Sequence, residues 1–261
     1  MGEDRSRRQS EIAALRLGLD LGMTLIDTAE MYGEGTAEEL VAEAVAGCRE
    51  QVFLVTKVYP HNATRRGAVD ACVRSLRRLK TDYIDLYLLH WRGAVPLSET
   101  FEAFQELKSS GKIRDYGVSN FDVTDMEKAL DVPGGIAIAT NQVLYNLEHR
   151  GIEWDLLPWC RKRHIPIMAY SPIGYEPAEQ KRMFSHPRMK LVASRHDATP
   201  AQVALAWLLR QPEIVVIPKA SRPEHIRENR AALEIKLTEQ DIENLEEAFP
   251  APKRKIPLEM V

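Results

Sequence analysis

The stretch VFLVTKVYPHNATRRGAVDACVRSLRRLKTDYIDLYLLH, residues 52–90, predicts a strand, a helix and a second strand in succession. Its two ends are mostly apolar runs of strand length, which are typical of strands buried on both faces. Between them, one apolar stripe recurs at helical spacing and contains Val69, Cys72, Leu76 and Leu79. Two buried strands joined by an amphipathic helix indicate a βαβ unit and therefore a parallel sheet.

The same alternation continues in both directions along the chain. It predicts seven strands, at residues 24–27, 52–57, 84–90, 113–119, 138–143, 165–170 and 214–219. Helices are expected before and after most of them, and a long loop is expected between the strand at 165–170 and a helix beginning at Pro200. The 261 residues suit one TIM-type (β/α)8 barrel, and no linker divides the chain, so we expect a single α/β barrel domain over residues 1–261. An open doubly wound sheet is the competing architecture, but it would normally carry a glycine-rich phosphate loop after its first strand, and no such motif occurs.

Composition argues against several classes of protein. The 35 basic and 38 acidic side chains are interspersed and give a formal net charge of −3, unlike the one-sided basic patch of a nucleic-acid-binding protein. No apolar run reaches the ~18 residues that cross a bilayer. The three cysteines are far apart and show no metal-ligand spacing, which favours a reducing compartment. We therefore expect a cytoplasmic protein without nucleic-acid, membrane or metal partners, as a monomer or weak homo-oligomer.

Polar side chains stand where the predicted strands end. Single residues of this kind are usually turn formers, but the carboxyl ends of barrel strands form the rim at which active sites lie. Seven apolar strands that each deliver a polar group to one rim therefore indicate a site. The residues concerned are Asp27, Lys57, His90, Ser119 with Asn120, Gln142, Tyr170 with Ser171, and Lys219.

Three of these residues, Asp27, Lys57 and His90, suggest acid catalysis together with the nearby Tyr32. Tyr32 lies five residues after Asp27, in the loop above the same strand. A free tyrosine has a pKa of ~10, and the ammonium of Lys57 would lower that pKa by stabilising the phenolate. Asp27 would hold Lys57 charged, and His90 could donate a hydrogen bond to a substrate oxygen. A structural Asp27–Lys57 ion pair with Tyr32 as a pocket wall is the plainer alternative.

Several motifs together resemble the aldo-keto reductase family. They occur in the family's order and spacing: DTAEMYGEG (27–35), TK (56–57), LLH (88–90), GVSNF (117–121), NQVLYN (141–146), AYSPIG (169–174) and IPKASRPEHIREN (217–229). The resemblance implies an NAD(P)H-dependent oxidoreductase that reduces small aldehydes or ketones by hydride transfer, with Tyr32 as the general acid. Asp27, Lys57 and His90 would assist it, and the cofactor would carry the redox chemistry.

The resemblance also implies which residues hold the cofactor. Ser119, Asn120 and Gln142 would bind the nicotinamide carboxamide, and Tyr170 would stack on its ring. Ser171, Pro172 and Gly174 would meet the pyrophosphate, Lys219, Ser221 and Arg222 the adenosine end, and Glu228 and Asn229 the adenine. His225 stands where many members carry an arginine over the 2′-phosphate, so NADPH is expected with NADH left open. Met31, Tyr59 and Trp91 follow catalytic positions and are expected to line a pocket for a short carbonyl substrate such as a 2-oxoaldehyde.

The start of the chain departs from the family. The family barrel has eight strands and begins with a hairpin and a first strand, whereas no strand pattern precedes the helix at residues 6–21. We therefore expect a barrel without the N-terminal hairpin and first strand. One alternative function follows, a catalytically impaired NADPH-binding or sensor barrel. A second alternative is a Schiff-base enzyme with Lys57 or Lys219 as nucleophile.

Overall fold

The computed structural model of the protein describes residues 1–2 and 4–261. The chain divides into two compact units, residues 1–141 with 221–223, and residues 142–220 with 224–261. In the described part of the chain, seven strands form one sheet whose order follows the sequence from first to last. Each unit is described below by itself.

The first unit is a succession of strand–helix repeats. Its strands are β1 (Leu25–Asp27), β2 (Phe53–Val58), β3 (Ile84–Leu89), β4 (Ile113–Ser119) and the start of β5 (Ile138–Leu144). Its helices are α1 (Arg8–Asp20), α2 (Thr36–Ala44), α3 (Arg65–Leu79), α4 (Leu97–Ser109) and α5 (Val123–Leu130). The pairs β1–β2, β2–β3 and β3–β4 are all parallel. Every residue of β3 is buried, which explains the uninterrupted apolar run by which the sequence reveals this strand.

The second unit contains the rest of β5 and the strands β6 (Ile167–Tyr170) and β7 (Ile214–Ile217), which pair in parallel. Its helices are α6 (Leu156–Arg161), α7 (Pro177–Ser185), α8 (Pro187–Arg195), α9 (Pro200–Leu209), α10 (Pro223–Ala231) and α11 (Glu239–Ala248). Pro223, the first residue of α10, falls in the first unit. The interior of α9 is buried on nearly all sides and includes the fully buried Trp207.

The expected barrel class, with seven strands, is confirmed, and among the described residues before α1 there is no strand. The single-domain assignment for residues 1–261 stays a prediction. No helix among the described residues is long and apolar enough to cross a membrane.

The expectation of a long loop after β6 is wrong, because α7 and α8 occupy most of it. Both helices begin with a proline at the first position, where the missing N–H costs nothing and the fixed φ favours the helix. The stripe of α8 that is buried, Met189, Val192 and Ala193, also has helical spacing. Proline is also common in loops, so the sequence alone does not distinguish these helix starts from a loop.

Candidate active site

The register of the first three strands brings Asp27, Lys57 and His90 to one face of the sheet. Asp27 is paired with Val55, and Lys57 lies two residues beyond Val55 on the same strand. Lys57 is in turn paired with Leu88, two residues before His90. Side chains at positions i and i+2 of a strand point to the same face, so all three project together. Three residues that are about thirty positions apart in sequence become neighbours by this stagger.

Lys57 is held by two oxygens. Its Nζ atom lies 2.6 Å from Oδ2 of Asp27 and donates to the carbonyl oxygen of Thr28 at 2.8 Å. The Lys57 side chain has no exposed surface, whereas that of Asp27 is 12% exposed. A fully buried ammonium is tolerated only when it is paired and hydrogen-bonded, and both conditions are met.

Tyr32 stands over this ion pair. Nζ of Lys57 lies 5.1 Å from the centre of the Tyr32 ring. Tyr32 begins a tight turn in which Gly33, Glu34 and Gly35 all have positive φ, and α2 begins directly after it. The turn leads from Tyr32 directly into α2, and its conformation sets where the Tyr32 side chain starts.

Burial raises the pKa of Tyr32 above its ordinary value, with a smaller contribution in the same direction from the charge of Asp27. The charge of Lys57 and its hydrogen bond with the tyrosine lower that pKa but do not outweigh burial. The expected lowering by Lys57 is therefore present as a contribution, while the net direction is upward. Tyr32 consequently keeps its proton at neutral pH.

His90 completes the group. Its ring meets that of Tyr32 edge to face, with 5.7 Å between the centroids. Burial, assisted by the charge of Lys57, lowers the pKa of His90 to about 3, so the imidazole is neutral at pH 7. Its Nδ1 atom is buried and has no hydrogen-bond partner among the described residues. A neutral imidazole carries one N–H donor and one acceptor nitrogen, so His90 can donate a hydrogen bond without carrying charge.

Two of the three expected pocket residues continue the row of rings from His90. Trp91 lies 5.0 Å from His90, and Tyr59 meets Trp91 edge to face at 5.8 Å, both measured between ring centroids. Met31 is 37% exposed beside Tyr32. Aromatic and apolar groups next to neutral polar ones are typical of a small-molecule pocket wall.

Glu30 is a residue of this region that the sequence analysis missed. It is buried, and its Oε1 accepts hydrogen bonds from the backbone N–H of Tyr59 at 2.8 Å and from Nδ2 of Asn62 at 3.0 Å. It thereby ties the loop after β1 to the loop after β2. The signal was a second acidic residue within the motif DTAEMYGEG, which also contains Asp27 and Tyr32.

The expected cofactor residues of the first unit lie at the end of β4 and in the segment 221–223. Ser119 is fully buried, and Asn120 has a φ of 60° and donates from Nδ2 to the carbonyl oxygen of His90 at 3.2 Å. Ser221 receives a hydrogen bond from Nη2 of Arg7 at 3.3 Å, a cation that the sequence analysis did not place there. Arg222 is exposed.

The expected cofactor residues of the second unit lie at the ends of its strands and on α10. Gln142 lies near the end of β5, and its Nε2 atom is 3.9 Å from the sulfur of Met168 on β6. After Tyr170, Ser171 has a φ of 48° and its carbonyl oxygen accepts from the N–H of Gly174, closing a turn around the buried Pro172. Lys219 is exposed after β7. His225, Glu228 and Asn229 are partly buried on α10.

The geometry agrees with comparisons to known proteins. A sequence model of the Aldo/keto reductase family matches residues 1–249. The chain belongs to the aldo-keto reductase family.

The chain is 50% identical to methylglyoxal reductase YeaE of Escherichia coli strain K12, over all of this chain and 92% of the relative. It is 31% identical to methylglyoxal reductase DkgB of Escherichia coli O157:H7, over 92% of this chain and 88% of the relative. A crystal structure of an aldo/keto reductase from Klebsiella pneumoniae in complex with NADP and acetate superposes with a TM-score of 0.98 at 49% identity, covering 100% of this chain and 92% of that one. This aldo-keto reductase is accordingly an oxidoreductase with the barrel fold of its family.

Proposed function

We propose that this aldo-keto reductase reduces short 2-oxoaldehydes to hydroxycarbonyl products, with NADPH as the reductant and Tyr32 as the proton donor. One observation carries the proposal: a protonated Tyr32, a buried Lys57–Asp27 ion pair and a neutral His90 lie together at the ends of adjacent strands. The relatives named methylglyoxal reductases support the substrate class.

Tyr32 is the acid because its proton is retained at neutral pH and its phenolate would form beside a fixed cation. When the carbonyl oxygen takes the proton, negative charge develops on the Tyr32 oxygen, and the ammonium of Lys57 stabilises that charge. Lys57 does not move to do so, since Asp27 and the carbonyl of Thr28 already hold it. The expected gain from such general acid catalysis is about 10²–10⁴-fold.

His90 polarises and orients the carbonyl. Because the imidazole is neutral, it offers a hydrogen bond to the substrate oxygen without competing with Tyr32 as a strong acid. The edge-to-face contact with Tyr32 fixes the two rings relative to each other, so that both can donate a hydrogen bond to the same carbonyl oxygen of the substrate.

The donor set also fits a nicotinamide cofactor. Nδ1 of His90 is buried without a partner among the described residues, and a bound group can satisfy such an atom. Ser119 and Asn120, at the end of β4, offer hydroxyl and amide groups suited to a carboxamide. When bound, the reduced nicotinamide supplies the hydride. The remaining cofactor-binding residues keep the assignments that the family resemblance gives them, from Gln142 to Asn229.

The Schiff-base alternative fits the geometry of Lys57 poorly. A nucleophilic amine must lose its proton and reach the substrate, whereas Lys57 has no exposed surface and donates to a carboxylate and a carbonyl. A barrel that binds NADPH without turnover is the alternative that the experiment below addresses.

The test combines binding and turnover in the full chain. NADPH is titrated by fluorescence, methylglyoxal is then added, and the loss of reduced-nicotinamide absorbance is followed for the wild type and for Tyr32→Phe. We expect tight binding in both proteins and a kcat at least ~10²-fold lower in the variant. Binding without oxidation in the wild type would support the impaired barrel, and a kcat within about threefold of wild type in Tyr32→Phe would remove Tyr32 from the mechanism.

A further inference from the structure

Residue Gly2 is packed directly on the beginning of α2, just after the turn that carries Tyr32. Its φ is +83°, and a Cβ atom placed on it would lie 2.7 Å from the backbone nitrogen of Ala37 and 2.9 Å from the carbonyl carbon of Thr36. Real Cβ atoms essentially never approach backbone this closely. Only glycine combines this backbone conformation with this approach.

Two hydrogen bonds hold Gly2 there. Its N–H donates to Oε2 of Glu11 at 2.9 Å, and Glu11 is a buried carboxylate on α1. Its carbonyl oxygen accepts from Oγ1 of Thr36 at 2.6 Å. The same Thr36 oxygen lies 2.7 Å from the carbonyl oxygen of Gly33, the residue that follows Tyr32. The hydroxyl of Thr36 has one proton, which is shared between the carbonyl oxygens of Gly2 and Gly33, and this shared hydrogen bond connects Gly2 with the turn that carries Tyr32.

The turn is held by backbone hydrogen bonds, among them the one from the N–H of Glu34 to the carbonyl oxygen of Met31, yet it contains a strained residue. Gly33, Glu34 and Gly35 are three consecutive residues with positive φ, and for Glu34 this conformation is unfavourable. A strained segment persists where its surroundings over-determine it. The contact of Gly2 with Thr36 and Ala37 is one such constraint, because these two residues directly follow the turn.

We propose that Gly2 is a positioning residue for Tyr32, acting through the Thr36 hydroxyl on the turn at residues 33–35. The inference rests on the proposed function, in which Tyr32 donates the proton. Gly2 itself touches neither substrate nor cofactor in this scheme. Its contribution is to keep the Tyr32 ring over Lys57, and misplacements of about 1 Å can cost an enzyme ~10²-fold in rate.

The experiment compares Gly2→Ala with a matched pair at Thr36 in the full-length chain. Gly2→Ala should push the segment off α2 and lower kcat for methylglyoxal reduction by about tenfold to a hundredfold, with the Kd for NADPH changed by less than about twofold. Thr36→Val, which loses the hydroxyl, should reproduce that loss, while Thr36→Ser, which keeps it, should retain wild-type kcat.

A pH profile separates positioning from general damage. If Tyr32 moves away from Lys57, it loses the cation that lowers its pKa, so the alkaline limb of the kcat profile should shift upward in Gly2→Ala and in Thr36→Val. Loss of folded protein would lower the amplitude of the profile without moving this limb. Where Gly2→Ala does not fold, the Thr36 pair decides the question.

Two results would overturn the inference. One is an unchanged kcat in both Gly2→Ala and Thr36→Val, and the other is an equal loss in Thr36→Ser and Thr36→Val. Tyr32→Phe, measured in parallel, keeps the two claims apart. If that variant is inactive while the Gly2 and Thr36 variants are normal, only the positioning role fails, and if it is active, the proposed function fails.

Discussion

The ammonium of Lys57 lies 2.6 Å from the carboxylate of Asp27, inside a protein interior that leaves Lys57 with no exposed surface. Taking both charges out of water is expensive, and their attraction offsets that cost only while both partners are present. The pair therefore has two separable consequences, one for stability and one for the chemistry at Tyr32.

Single substitutions in this pair should destabilise the fold more than the double substitution does. Asp27→Asn leaves a buried ammonium without its carboxylate and should cost about 3–5 kcal/mol of unfolding free energy. The double variant Asp27→Asn with Lys57→Met removes both charges and should recover most of that loss, while carbonyl reduction stays abolished. Urea unfolding and NADPH-coupled assays on the two single variants and the double variant measure this. Recovery of activity in the double variant would contradict the assigned role of Lys57.

The sequence predicts the participants in this arrangement because strand ends are readable from apolar runs. Asp27, Lys57 and His90 each stand at the end of such a run, and parallel pairing brings the ends together. The two-residue stagger between neighbours, which turns all three side chains to one face, is a property of pairing and is not visible in any one strand. The partners of Glu30 are likewise hidden, since they come from the loop after another strand.

The direction of the net pKa shift of Tyr32 cannot be predicted from the identity of its charged neighbours alone. The sequence supplies Lys57 as a neighbour and hence a contribution that lowers the tyrosine pKa. Burial depends on everything packed around the ring, and it reverses the sign. The helices α7 and α8 were missed for a different reason, because proline at a helix start and proline in a loop look alike in one sequence.

The raised pKa of Tyr32 predicts a flat rate profile through neutral pH. The protonated tyrosine is the active form in reduction, so activity is lost as pH rises through its pKa, which burial keeps above the ordinary value of about 10. We expect kcat to be level from pH 7 to about pH 10 and to fall only above it. NADPH affinity measured at each pH is the control. An alkaline limb centred near pH 7 would show that another group donates the proton.

Cofactor choice should respond to position 225. His225 lies on α10, and we propose that it faces the adenosine end of the cofactor, where an imidazole lacks the fork of donors with which a guanidinium binds a phosphate. NADPH should be preferred over NADH modestly in the wild type. His225→Arg should widen the ratio of kcat/KM for the two cofactors by about tenfold, equivalent to ~1.4 kcal/mol, mainly through the KM for NADPH. His225→Gln, which adds no charge, should leave the ratio unchanged, and an unchanged ratio in His225→Arg would place residue 225 away from the phosphate.

The depressed pKa of His90 should make the protein sensitive to mild acid. Burial holds the neutral imidazole with a folded-state pKa of about 3, whereas an unfolded histidine has a pKa of about 6.5. Between those values the unfolded chain binds a proton that the folded chain does not. Unfolding is therefore favoured progressively as pH falls from 6.5 toward 3, and the full stability is present above 6.5. At pH 5 this single group should lower the free energy of unfolding by about 2 kcal/mol relative to pH 7.

His90→Gln cannot titrate, so the fall in unfolding free energy between pH 7 and pH 5 should be smaller in that variant by about the same amount. Other titrating groups contribute equally to both proteins and cancel in the difference. Urea unfolding of the two proteins at both pH values gives the number, and equal acid losses in the wild type and His90→Gln would mean that His90 is not held neutral by the fold.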